Sequence, residues 1–295
     1  MFLFLANRSE GQTLEVVILP ALKVNGEPAR AHTQGLEVAG GRYYVTARRE
    51  DVRPKRALLL RTGAEGTPWD VWDITPSDAT GAPMNLDHPG GLQSDGARLW
   101  IPISESKPNS HCIIRVFPLA GLVAGQPLKS EFEILVNDHI GAVAVAAGRG
   151  LVLGANWDTE TVYVWNFEGR LEQKLTGSAL TQRGLGAVNL TSNHSGVAVQ
   201  DWKFIGDRLF ASGLCREPGS AAPASRSRLI SFANFLQPEF QSLTVALPLQ
   251  EGTELAREAM TVAEGMVYFL PEDLGATNRL FRIPLAELST RATSP

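Results

Sequence analysis

Histidine is scarce in this chain, with five copies in 295 residues, and three of them keep similar company. His32 leads into Thr33-Gln34-Gly35-Leu36. His88 lies in Asp87-His88-Pro89-Gly90-Gly91-Leu92, and His139 in Asp138-His139-Ile140-Gly141. Each opens a short apolar stretch, and two follow an aspartate. Imidazoles converging with a carboxylate suit Zn, Mn or Fe, so His32, His88 and His139 are candidate ligands of a divalent metal. The same groups suit proton transfer, with His88 and Glu105 as the candidate catalytic pair. Arg48, Arg216, Asn156, Trp157 and Glu272 are candidate substrate contacts: guanidinium groups for negative charge, an amide for hydrogen bonding, and an indole for stacking. A structural reading stands beside each. A repeated Asp-His caps backbone N–H groups between units. Arg48, Glu105 and Glu272 form ion pairs, and Trp157 packs. His111 and His194 occupy no recurring position and read as surface residues.

The elements that must position these residues are repeats. One pattern recurs five times: an apolar stretch, a Gly- or Asp-containing turn, then a β-branched or aromatic run. The anchors Leu36, Leu92, Val143, Trp202 and Met260 are spaced 51–59 residues apart. Gly40-Gly41, Asp95-Gly96, Gly206-Asp207 and Glu264-Gly265 supply the turn, and the third copy carries an extra residue near Gly148. Each copy is followed by two further strand-like segments, Arg56–Arg61 and Trp69–Ile74 after the first. The fifth copy has only Arg279–Pro284, while Thr13–Leu19 is a spare strand at the start. Donating that strand to the last sheet closes the array and removes two open edges. The pattern predicts an all-β fold, a five-bladed β-propeller closed by the N-terminal strand, with six blades as the alternative. One domain is expected over residues 1–288, with a frayed tail over 289–295. The only short helix candidate is Glu254–Met260.

In a propeller the first strand of each blade lines the channel. Residues before the first strand and after the second therefore share one face near the axis. The histidines stand before first strands, as do Gln200 and Arg257-Glu258. Arg48, Glu105, Asn156, Arg216 and Glu272 stand after second strands. The prediction is a polar pocket at the channel mouth.

Composition narrows the classes. Net charge is −4, hydrophobic residues make up 44% and charged residues 20%, so no basic field argues for nucleic acid or an anionic membrane. No apolar run approaches the roughly 18 residues of a membrane span. The first residues lack the basic start and cleavage site of a secretory signal, and the two cysteines, Cys112 and Cys215, form no framework. A cytoplasmic location with buried thiols is expected.

His32-Thr33-Gln34-Gly35-Leu36, followed by Gly40-Gly41-Arg42-Tyr43-Tyr44, resembles the Thr-Gln-Gly-Leu blade opening of propeller-type glutaminyl cyclotransferases. That resemblance implies five blades and the conversion of N-terminal glutamine to pyroglutamate. Where that family has a glutamate after the second-strand tyrosine, this chain has Val45, which disfavours the reaction. Asp87–Gly91, Pro102–Ser106, Asp138–Gly141 and Asn156-Trp157 look more like an uncharacterised propeller family. Looser kinship to lactonase-type propellers implies a divalent metal at the channel mouth. The reading is a metal-assisted hydrolase or lyase acting on a small polar molecule. A non-catalytic propeller that binds a small molecule or a protein is the alternative.

Overall fold

A computed structural model describes residues 14–63, 67–82, 84–186, 196–216 and 225–289. Five antiparallel sheets stand round a common axis. Blade 1 is formed by Ala31–Ala39, Arg42–Arg49, Arg56–Gly63 and Asp70–Asp73. In blade 2 the innermost strand is broken into His88–Pro89 and Gln93–Ser94, both paired with Arg98–Ser104; Cys112–Pro118 and Phe132–Val136 follow. Blade 3 runs through Ile140–Ala146, Leu151–Asn156, Thr161–Asn166 and Leu171–Thr176, and blade 4 through Ala198–Ile205, Arg208–Arg216, Ser225–Ala233 and Gln241–Ala246. Blade 5 takes Ala259–Ala263, Met266–Leu270 and Asn278–Pro284 from the end of the chain. Its fourth strand is Glu15–Leu19, in antiparallel register with Val17 opposite Leu280. The ring is thus five-bladed and closed by the N-terminal strand.

Turn chemistry explains the hairpins. Gly40 and Gly41 have φ of 58° and 70°, both in the left-handed region that a tight two-residue turn requires. Five apolar clusters fill the gaps between neighbouring blades. Each sheet therefore buries both faces against its neighbours, and burial of apolar area is the main force holding the ring.

The channel is plugged by polar groups that tie the blades together. Asp201 Oδ2 accepts hydrogen bonds from the N–H of Leu36 in blade 1 and of Met260 in blade 5, each at 3.1 Å. Its Oδ1 accepts from Trp202 N at 2.9 Å and pairs with the fully buried Lys203 ammonium. Gln93 accepts from Val145 N and Phe204 N through Oε1 and donates to the Phe204 carbonyl, linking blades 2, 3 and 4. These bonds satisfy inner-strand groups that would otherwise be buried without partners.

Some expectations needed correction. Glu254–Met260 is no helix: a 3-10 turn at Leu255–Arg257 leads directly into the strand Ala259–Ala263. Two short ribbons appear where only connections were expected, Lys23–Val24 with Glu27–Pro28 and Leu249–Gln250 with Thr253–Glu254. A short helix, Leu285–Ser289, follows the last strand and ends at the first residue of the expected tail; residues 290–295 and His194 lie outside the described residues. No helix among the described residues is long and apolar enough to cross a membrane.

Candidate active site

Bulges shape the mouth of the channel. The pairing of first and second strands skips one residue between Thr33 and Gly35, between Ile140 and Ala142, and between Val199 and Asp201. The extra residues are Gln34, Gly141 and Gln200, equivalent positions in blades 1, 3 and 4. A bulge re-aims its residue, and all three line one funnel of about 240 Å³. His32, His88, His139, Asn156, Trp157, Asp158 and Glu258 complete its wall. In blade 2 the chain passes the axis as Gly90-Gly91. A Cβ on Gly90 would stand 2.1 Å from the Gly141 carbonyl oxygen, so no larger residue fits.

The hydrogen-bond partners fix the proton on each imidazole. His139 Nδ1 lies 2.8 Å from the Glu105 carbonyl oxygen. A carbonyl only accepts, so Nδ1 carries the proton and Nε2 keeps its lone pair. His88 is the reverse case. Arg48 Nη1 stands 3.1 Å from His88 Nδ1, and a guanidinium only donates, so the proton of the neutral ring sits on Nε2. Burial, then the neighbouring His139 and Arg48, hold His88 neutral by pushing its pKa down to about 3. Burial lowers the pKa of His139 too, against the pull of its carbonyl partner. The His88 and His139 rings meet edge to face at 5.4 Å, and His139 meets Trp157 at 4.7 Å.

His32 sits between two acids from blade 5. Its Nδ1 is 2.6 Å from Asp273 Oδ1, and its Nε2 is 3.8 Å from Glu258 Oε1. Desolvation pushes the Glu258 pKa up to about 8, despite the opposing charge of Arg257. Burial thus favours the protonated form of Glu258, while Asp273, bonded to Nδ1, orients the His32 ring so that Nε2 faces Glu258.

The remaining predicted residues are placed as follows. Arg48 stands behind the funnel, bonded to His88, Ser106 and Glu50. Asn156 lines the funnel, but its amide is occupied: Nδ2 donates to Asp138 Oδ2 at 3.1 Å and Oδ1 accepts from Thr161 N at 2.7 Å. Asp138 also accepts from His139 N and the Tyr163 hydroxyl, so it braces the strand entry that aims His139. Glu105 presents its backbone carbonyl rather than its carboxylate. The carboxylate pairs with Lys107 at 2.6 Å and His111 at 3.4 Å, which lowers its pKa and removes it from the lining. Glu272 likewise turns away from the funnel, to pair with Arg279. Arg216 ends a blade 4 strand, and its side chain is outside the described residues. Trp157 is followed by Asp158 and Thr159, both at φ of 58°. Asp158 on the funnel wall and the buried Thr159 behind it are thus two consecutive left-handed non-glycine residues, a strained backbone kept at the mouth.

The metal centre expected from the three histidines does not fit these residues. Among the described residues no group of three His, Cys, Asp or Glu side chains is arranged to hold an ion. A guanidinium at His88 Nδ1 sets a positive charge beside any cation there, and places the ring proton on the nitrogen that would have to ligate it. Glu258, Gln34 and Gln200 were absent from the predicted set. Their position in the repeat put Gln200 and Glu258 at the channel mouth with the histidines, but the bulges that aim Gln34 and Gln200 inward carry no sequence signal.

Similarity to solved structures identifies the fold. The chain is similar to a GH43 endo-arabinanase from Bacillus licheniformis, with a TM-score of 0.54 at 9% identity over 90% of this chain and 96% of that one. It is also similar to a structural genomics protein of unknown function from Bacteroides thetaiotaomicron, with a TM-score of 0.50 at 12% identity over 92% of this chain and 76% of that one. No curated protein gives a significant match. The cyclotransferase resemblance gains no support, and Val45 is wholly buried in the apolar cluster between blades 5 and 1. The family model that matches covers residues 59–235, well over half of the chain, and on that ground the protein belongs to DUF6454, a family of unknown function.

Proposed function

We propose that the funnel is an acid–base active site for hydrolysis of, or elimination from, a small polar molecule. The observation that carries this reading is the line Asp273–His32–Glu258, with His32 Nδ1 2.6 Å from Asp273 Oδ1 and His32 Nε2 3.8 Å from Glu258 Oε1. A carboxylate that orients an imidazole toward a second carboxyl group is an arrangement suited to passing a proton, and burial favours the protonated form of Glu258. His32 Nε2 accepts a proton from water or from substrate carbon, Asp273 stabilises the imidazolium that forms, and Glu258 delivers its proton to the leaving group. His139 Nε2 accepts from a substrate hydroxyl, and the His88 Nε2–H donates to a substrate oxygen. The funnel of about 240 Å³ holds the equivalent of about eight waters, so the reacting part of the substrate is small. Likeness to a propeller hydrolase supports the architecture as a host for such chemistry, while the assignment rests on the site.

The test is a panel of small lactones, esters, sugar acids and glycosides, followed by proton release and by the ultraviolet absorbance of an unsaturated product. Turnover of one class is expected, and His32→Asn and Glu258→Gln should each reduce it by about 10²–10⁴-fold in protein whose circular dichroism shows the native fold. If a panel compound raises the melting temperature of wild type and Glu258→Gln alike, yet is never turned over, the funnel is a binding site and the acid–base reading fails.

A further inference from the structure

A second cavity adjoins the funnel. It is about 720 Å³, the equivalent of about two dozen waters, and lies at the seam between blades 5 and 1. One wall is the ribbon of Lys23–Val24 and Glu27–Pro28; the other is the loop carrying Asp273 to Thr277. Backbone bonds hold the walls in place, with Leu22 N donating to the Gly275 carbonyl at 2.8 Å and Ala31 N to the Leu274 carbonyl at 3.0 Å. The floor is apolar, with Leu22, Ala29 and Leu274 nearly fully buried. Asp273 belongs to this wall and is also the residue bonded to His32. The two cavities are therefore separated by the Asp273–His32 pair.

Charge is unevenly satisfied here. Of the two acids in the lining, Asp273 is paired with His32, and Asp51 with Arg49 at 2.8 Å. Lys23 and Arg30, the two cations in the lining, are exposed, and among the described residues neither side chain forms a hydrogen bond or ion pair. The groove thus offers an apolar floor and two exposed cations without a partner, beside the Asp273–His32 pair.

We propose that this groove is a subsite for the remote arm of the substrate, an aliphatic chain ending in a carboxylate. The carboxylate lies at Lys23 and Arg30, the chain on Leu22 and Leu274, and the reacting end reaches the funnel past Asp273. Charge-assisted contacts to Lys23 and Arg30 supply specificity for the anion, and burial of the chain supplies affinity. The inference rests on the acid–base reading of the funnel for the word substrate, but the groove can be tested by binding alone.

The probes are octanoate and its uncharged counterpart 1-octanol, titrated calorimetrically into the full chain. Octanoate should bind more tightly than octanol. Binding should weaken by about tenfold or more in the double variant Lys23→Glu/Arg30→Glu and vanish in Ala276→Trp, which fills the groove from an exposed position. His139→Gln should leave it unchanged. Melting temperatures of the Lys23→Glu/Arg30→Glu and Ala276→Trp variants should match wild type, since none of these three side chains is buried. No binding of octanoate, equal binding of octanol, or persistence of binding in both groove variants overturns the proposal. So does loss in His139→Gln, which would put the carboxylate in the funnel. Octanoate binding in a protein that turns nothing over would strike only the acid–base reading, whereas turnover without octanoate binding would strike only the groove.

Discussion

Replacement of Asp201 by alanine should be the most damaging single change at the axis. In the native ring its carboxylate receives three backbone N–H groups, from Leu36, Trp202 and Met260, and the Lys203 ammonium. Alanine strands a buried cation, which costs about 3–5 kcal/mol in comparable buried pairs. It also leaves three amides without an acceptor, at about 1 kcal/mol or more each if no water enters. These terms overlap, and about 5 kcal/mol is a reasonable total. At about 2–4 °C per kcal/mol for a domain approaching this size, melting should fall by about 10 °C or more. Scanning calorimetry or circular dichroism reads the shift directly. The double variant Asp201→Ala/Lys203→Met removes the stranded charge and should recover a large part of the loss, because the ammonium term disappears while the amide term remains. A single variant melting within about 3 °C of wild type, or a double variant no better than the single, would refute the view that this carboxylate binds blades 1, 4 and 5 together.

Two further outcomes follow from the buried titratable groups, Glu37 of blade 1 among them, and from the close packing at Gly90. Stability should depend on pH from both sides: Glu37 and Glu258, raised from 4.5 to about 8 mainly by burial, contribute stability that is present below pH 4.5 and lost as pH rises towards 8. His88, lowered from 6.5 to about 3, contributes stability present above pH 6.5 and lost as pH falls towards 3. Urea midpoints measured across that span should peak in mildly acidic solution, and Glu258→Gln should flatten the alkaline limb; a limb unchanged in the variant would exclude Glu258 as its source. Glycine at 90 should be irreplaceable, since an added Cβ meets the Gly141 carbonyl oxygen at 2.1 Å, while Gly148 faces open space at ordinary φ. Gly90→Ala should lose about 3 kcal/mol or more and Gly148→Ala should lose nothing, as read by thermal melts of the two variants.

The parts of the fold that the sequence makes legible are those written in local chemistry. Gly40-Gly41 and Glu264-Gly265 announce tight turns, because few residues accept the backbone they need, and the period between anchors follows from counting. The surplus strand at the start and the deficit at the end made the closure readable. The level of His32, His88 and His139 was also readable, since antiparallel pairing fixes which residues reach the channel mouth. What stayed hidden depends on neighbours brought from far along the chain. Glu258 becomes an acid only when blade packing excludes water from it. Glu105 serves through its carbonyl because Lys107 and His111 take its carboxylate, and no residue type signals that. Gln34 and Gln200 face the funnel through bulges, which alternation patterns do not announce. The arginine at His88, which spoils the metal site, comes from the neighbouring blade.

The closing strand has a consequence for biosynthesis. His32 comes from the first blade, whereas Asp273 and Glu258 come from the last, so the trio proposed for proton transfer straddles the seam that Glu15–Leu19 and Asn278–Pro284 stitch together. A nascent polypeptide still threaded in the ribosome can stack its early sheets, but it cannot assemble this trio until its final sheet has emerged and captured the strand made first. The proposed chemistry is thereby withheld from every incomplete ring, and the same stitch that shields the sheet edges from aggregation also completes the candidate site.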